Sequence, residues 1–406
     1  MANNLKDKIA VRTLFGVNFN IFLLGMVSLF TDWSSDMIGA ILPLFILSIG
    51  GNVLIIGIIE GVTNASSNIL KGLSGVLADT KRFENKKKQL VVAGYSISNF
   101  TKPLIGLFPN WLVTLGLKFT DRVGKGVRTS PRDTMIADYT EKKEGKSKRG
   151  KSFGLHRALD TIGATLGPLT ASILLFIGLA YNAIIIFSII PGVIAILILL
   201  FVTEIKSFQS TNEKESSPRP TRKFLKLILT LGVIQFASVD LAFLIVRASD
   251  FVWVAFIPLF IVFTNILYVV FALISGDLSD RVGRKKIILI GLFVLLIVSF
   301  MLIFPYPITI LSMILILVAF LLFGVHLGLV DPVSRAMVAD ISGKKKKGTA
   351  FGLYYLFIGL ISLPECILFG FLYDTFSFVF AFTFSTTLLA ICIVIFIFQD
   401  FTIKSD

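Results

Sequence analysis

The chain has 406 residues, of which 55% are hydrophobic and only 16% charged, with a formal net charge of +14. Soluble domains carry about 25% charged residues, so there is too little polar surface here to cover a water-facing globule, as the mean hydropathy of +0.86 also says. Cys366 and Cys392 both fall in apolar runs, which excludes a disulfide framework or a cysteine-ligated zinc site.

A membrane-spanning helix needs roughly 17–25 mainly apolar residues. Twelve such segments are predicted, near 17–47, 52–78, 89–108, 111–138, 152–177, 180–202, 224–248, 252–276, 286–304, 308–336, 349–373 and 377–398. The polar start runs into an apolar segment too long for a cleavable signal. The first span carries Asp32 and Asp36 near its middle. The second carries Glu60, Asn64, Asn68 and Lys71 at helical spacing, a stripe that lines a pathway or pairs with the first span.

The first, fourth and tenth spans contain charges and are the least hydrophobic, and the fourth is the most informative. Lys118, Arg122, Lys125, Arg128 and Arg132 recur every three or four residues, on one helical face. Charges in hydrocarbon cost about 2.5–3.5 kcal/mol each on insertion scales, so they face a cavity or a partner. Arg128 and Arg132, nearer the cytoplasmic end, are expected to snorkel. Asp121 and Asp133 on this span and the two acids of the first leave a surplus of positive charge, which favours an anionic or zwitterionic substrate. The fifth span opens with His156, Arg157 and Asp160. A polar stretch, 204–223, then separates two six-span halves, 1–203 and 224–406, and reads as a flexible linker. In the second half Asp240, Arg247, Asp250, Asp331, Arg335 and Glu365 add polar groups, and Glu365 follows Pro364, where a proline opens a helical turn.

Every second connection is rich in Lys and Arg, and the alternate ones (GGN, PN, GLAYN, PYP) have none. The positive-inside rule then places both termini and all basic loops in the cytoplasm. This accounts for the net charge without nucleic acid, since the basic runs lack aromatic interleaving. There is no phosphate-binding glycine loop and no metal-spaced cluster, so ATP drive, a cofactor and an enzyme are not expected.

The halves repeat one another. GVLAD, with Gly75 and Asp79, recurs as GDLSD, with Gly276 and Asp280; MIAD at 135–138 recurs as MVAD at 337–340; FGL at 153–155 recurs at 351–353. Asp240 (SVDL) matches Asp36 (SSDM) in repeat position.

GDLSDRVGRKK, with Gly276, Asp280, Arg281, Gly283 and Arg284, resembles the diagnostic loop motif of the major facilitator superfamily; the first-half copy keeps Gly75 and Asp79 but loses the second glycine. Arg122 and Gly126 resemble its fourth-helix motif. Gly154, Gly163 and Gly167–Pro168 resemble its fifth-helix antiporter motif, with Ala171 and Ser172 where paired glycines are usual. DRVGKGVRTSPRDTMIAD resembles a prokaryotic subgroup of these transporters.

The resemblance implies an all-α membrane protein of twelve helices in two pseudo-symmetric six-helix bundles, with the first and fourth helices lining a central cavity. It implies a cytoplasmic latch in which Gly276 permits close helix approach, Asp280 stabilises a helix N-terminus and Arg281 and Arg284 pair with carboxylates. It also implies that Asp32 and Asp36 meet the Arg122–Lys125 region, and that Pro168 kinks the fifth helix. The expected activity is proton-driven export of a small organic solute from a prokaryotic cytoplasm, by a monomer, with Asp32, Asp36, Glu60, Arg122, Lys125, Arg128, Asp240 and Glu365 as substrate and coupling residues. Proton-coupled uptake, or efflux of cationic or neutral drugs, are the alternatives.

Overall fold

The computed structural model describes residues 13–14, 17–78, 87–140, 149–203, 221–304, 307–342 and 347–399. The first half comprises α1 (Phe19–Gly39), α2 (Leu42–Ser48), α3 (Val53–Ala78), α4 (Lys87–Leu107), α5 (Trp111–Thr140), α6 (Arg149–Phe176), α7 (Tyr181–Phe187) and α8 (Ile189–Leu200). The second comprises α9 (Arg222–Ala237), α10 (Leu241–Ala248), α11 (Phe256–Val282), α12 (Arg284–Ile303), α13 (Ile310–Ser342), α14 (Lys347–Thr375) and α15 (Phe378–Phe398). A two-residue antiparallel pair, Thr13–Leu14 with Val17–Asn18, precedes them.

Three predicted spans are interrupted. The first divides into α1 and α2 at Ala40–Ile41, with Pro43 at the start of α2, where its missing N–H costs nothing. The sixth divides at Ser188, and the seventh at 238–240, where Asp240 caps α10 by accepting from Ala242 N at 2.9 Å. Pro103, Pro131, Pro168, Pro332 and Pro364 all lie inside continuous helices. Among the described residues, 10 helices are long and apolar enough to cross a membrane. The two predicted spans missing from that set are α4 and α5, where Lys102 and the cations of the fourth span dilute the apolar run.

By contacts the chain forms two compact units, one of residues 1–39 and 73–215, the other of 40–72 and 216–406. The division differs from the sequence halves 1–203 and 224–406, because residues 40–72 belong with the second unit. Of the expected linker, 204–220 lies outside the described residues.

In the first unit α1 lies along α6 on glycine. A Cβ at Gly163 would strike the Leu29 carbonyl, and one at Gly167 would lie 2.6 Å from Met37 N and 2.8 Å from Trp33 O. Trp33 Nε1 donates to Thr170 Oγ1 at 2.9 Å across the same seam. Helices α4 and α5 cross where a Cβ at Gly124 would sit 2.7 Å from Gly94 O. Small residues give such close approach, which replaces the hydrophobic effect as the packing force in lipid.

In the second unit α3 packs on α14. Cys366 lies against Gly57 and Gly61, and Val53 and Leu54 lie against Gly370. Asp374, in the last turn of α14, accepts from Val53 N at 3.3 Å and Leu54 N at 2.7 Å, so it caps the N-terminus of α3.

The repeat has a counterpart in ion pairs. Asp138 of MIAD, near the end of α5, binds Lys87 at the start of α4 at 2.8 Å. Asp340 of MVAD, near the end of α13, binds Arg284 at the start of α12. Each unit thus ties the end of one helix to the start of another with the same carboxylate of the repeat.

Candidate functional site

The predicted site residues fall into two constellations, one in each unit. In the first unit, α1 presents Asp32 and Asp36, α4 presents Ser98, Asn99 and Lys102, α5 presents Asp121, Arg122, Lys125 and Arg128, and α6 presents Asp160. Asp36 has Lys125, Asp160, Arg122 and Lys102 as its charged neighbours, and Asp32 faces Asp160 and Lys125. The expected meeting of the first-helix acids with the Arg122–Lys125 region is therefore present.

Partners divide sharply by type. Lys102, 2% exposed, is held by neutral acceptors: Thr31 O at 3.2 Å, Ser35 Oγ at 2.9 Å and Asn99 Oδ1 at 2.9 Å. Asp121 takes a hydrogen bond from Ser98 Oγ and lies 3.8 Å from Arg122 Nε. Asp160 accepts from Ser28 Oγ at 2.5 Å and pairs with Arg157 Nη1 at 2.9 Å. The result is a buried network in which serine hydroxyls and an asparagine amide hold charged groups alongside the ion pairs.

Arg128 corrects the snorkelling expectation. It is 3% exposed, its guanidinium stacks 4.1 Å above the Tyr95 ring, and its Nε and Nη1 have no hydrogen-bond partner among the described residues. The aromatic face takes the place of acceptors for the buried cation. Arg132 binds its neighbour Asp133 at 2.8 Å.

In the second unit the constellation is acidic. Asp240 accepts from Asn64 Nδ2 at 3.0 Å, and Glu365, 4% exposed, accepts from Gln235 Nε2 at 2.8 Å. Glu60, Asp240 and Glu365 all face Cys366. The polar stripe of α3 meets residues of the second half: Asn64 reaches Asp240, Asn68 lies against Gly359, and Lys71 sits 5.7 Å over the Tyr355 ring. The repeat-matched acids differ in place. Asp36 lies inside α1, four residues before its break, whereas Asp240 is the cap within a break.

Arg247 is structural. It is 3% exposed, pairs with Asp250 at 2.7 Å, donates to Phe304 O at 2.8 Å and stacks 3.7 Å over Phe378. Arg335 and Asp331 pair at 3.5 Å along one helix face.

In the loop motif, Gly283 has φ +101 and separates α11 from α12, a conformation glycine adopts without penalty. Gly276 is open: a Cβ there meets nothing within 4 Å, so it permits no close helix approach in this structure. Asp280 lies in the last turn of α11 and binds Arg284 at 3.0 Å. Arg281 pairs with Asp277 at 2.8 Å on the exposed surface. Gly75 is in the last turns of α3, and Asp79 lies outside the described residues. The antiporter-like set also splits. Gly163 and Gly167 seat α1, while Gly154 faces open space and α6 continues through Pro168.

Ser98, Asn99 and Lys102 were not singled out from sequence. Their spacing on one face of α4 is the available signal, since a lysine amid an apolar span implies partners.

Comparison with known proteins gives a consistent picture. The family profile described as Major Facilitator Superfamily matches residues 21–267 and 261–402. An uncharacterized MFS-type transporter of Methanocaldococcus jannaschii is 36% identical over 368 residues, covering 87% of this chain and 88% of that protein. Among solved structures, a mutant of the nucleoside transporter NupG superposes with a TM-score of 0.79 at 11% identity, over 94% of this chain and 100% of that one. A POT family transporter in complex with a thioalcohol-conjugated peptide gives 0.78 at 11% identity, over 97% of this chain and 98% of that one.

Proposed function

The chain belongs to the major facilitator superfamily and is a multi-pass membrane transporter; from that premise we propose that it exports a small anionic or zwitterionic organic solute from a prokaryotic cytoplasm in exchange for protons, by alternating access. The observation that carries this reading is the placement of Asp32 and Asp36 among Lys125, Arg122 and Lys102. A carboxylate that accepts a proton releases its hold on a neighbouring cation, which then binds a substrate anion. Loss of the proton restores the pair and expels the substrate. The seam of Gly163 and Gly167 sits beside Asp36, so a change in these charges bears directly on how α1 packs against α6. In this reading both termini lie in the cytoplasm, as the positive-inside pattern of the loops supports, and the working unit is a monomer.

Efflux of cationic or neutral compounds is the second reading, supported by Glu60, Asp240 and Glu365 in the second unit. Counterflow in proteoliposomes separates the two, since organic anions compete under the first and organic cations under the second. Imposed proton gradients of both signs separate export from uptake symport. Flux indifferent to either gradient would remove proton coupling altogether, and full coupled activity in Asp36→Asn would remove Asp36 from the mechanism.

A further inference from the structure

A groove of about 400 Å³ runs along the second unit between α9 and α15. Its walls are Leu225, Leu229, Val233 and Ile234 on one side and Cys392 and Ile395 on the other, with Arg222 and Lys226 at one end. Thr230 and Gln399 complete the lining, with Thr230 Oγ1 donating to Gln399 Oε1 at 2.6 Å, and the two helices also touch beyond the groove through Ser385 Oγ to Ala237 O at 2.6 Å. Lys285 Nζ binds Gln399 O at 2.6 Å and fixes the end of α15 that borders the cationic mouth.

Exposed apolar side chains alone mean nothing in a protein solvated by lipid. A concave apolar channel closed at one end by two cations is more specific. Arg222, Leu225, Lys226, Leu229 and Val233 form one stripe on α9, since they are three or four residues apart. From Arg222 to Val233 the stripe rises about 16 Å at 1.5 Å per residue. That is close to one leaflet of a hydrocarbon core about 30 Å thick. The cations therefore lie at headgroup level, where a guanidinium chelates a phosphate oxygen pair and an ammonium adds a point charge. The apolar part has the length and lining for one acyl chain.

We propose that this groove is a binding site for one anionic phospholipid, its phosphate held by Arg222 and Lys226 and an acyl chain lying along Leu225, Leu229, Val233 and Ile395. Charge complementarity selects the lipid over a second copy of the chain, which would bring the same cations to the mouth.

Native mass spectrometry of the full chain in mild detergent, titrated with phosphatidylglycerol and separately with phosphatidylcholine, tests this. One phosphatidylglycerol is expected to be retained in preference to phosphatidylcholine, and R222Q/K226Q is expected to weaken that retention about thirtyfold, from the surface contribution of two basic residues. K151Q/K286Q, which removes two exposed charges elsewhere, is expected to leave retention within about twofold of the parent. Val233→Trp fills the channel without touching charge and is expected to lower retention as well. Equal losses in the two charge variants, or no preference between the lipids, overturns the site. Unchanged retention in Val233→Trp overturns the acyl-chain assignment. A dimer that Val233→Trp dissolves would make a second copy the occupant and also overturn the proposal.

Discussion

Gly163→Ala isolates what the α1–α6 seam is worth. A Cβ at position 163 collides with the Leu29 carbonyl and lies 2.8 Å from Leu29 C and 2.9 Å from Leu29 Cα, all backbone atoms. Restoring ordinary contact at 3.4 Å or more requires α1 to retreat by about 0.6 Å or more, and overpacking of this kind costs about 1–3 kcal/mol. Alanine also gains about 0.5–1 kcal/mol over glycine inside a helix. Gly154→Ala on the same helix receives that gain with nothing to strike. The difference between the two variants therefore cancels propensity and reports the collision, about 1–3 kcal/mol against Gly163→Ala. Gly25→Ala falls between them, because its added methyl meets the movable tip of the Leu159 side chain. The assay is thermal melting in detergent followed by tryptophan-fluorescence size exclusion, with Trp33 lying on the seam itself. Equal melting of Gly163→Ala and Gly154→Ala would refute the packing account and return weight to a role for the motif as a whole.

Other expected outcomes follow from single contacts. Asp374→Ala removes the acceptor for Val53 N and Leu54 N and should destabilise the second unit by about 0.5–2 kcal/mol, with Asp374→Asn recovering part of it in the same melting assay. Arg247→Leu takes the donor from Phe304 O while leaving the exposed Asp250 to water, and should cost about 1–3 kcal/mol, while transport per folded molecule stays unchanged in reconstituted vesicles. Gly283→Ala places a Cβ at φ +101 and should cost about 1–3 kcal/mol, read as a lower melting temperature with transport retained.

Several parts of this picture were legible in the chain itself. The cations of α5 announce a shared face by their spacing, and none of the five is exposed. The small residues at 163 and 167 announce close packing, and α1 fills it. Partner choice was not legible. Arg128 and Arg132 look alike in sequence, yet one rests on Tyr95 and the other binds Asp133. Likewise Gly276 and Gly163 both sit in recognisable motifs, but only Gly163 meets a neighbouring backbone. Lys102 was hidden in an otherwise apolar segment, and its acceptors come from its own helix and from α1, far away in sequence.

The sequence by itself determined that lipid is the solvent, that the halves repeat and where helices run, because hydropathy, spacing and loop charge are local properties that any fold must respect. Only the tertiary structure decided which acid faces which cation, that the stripe of α3 meets Asp240 and Gly359, and that residues 40–72 join the second unit. Those outcomes depend on close approach between helices distant in the chain, set by shape and hydrogen bonding that no local pattern encodes.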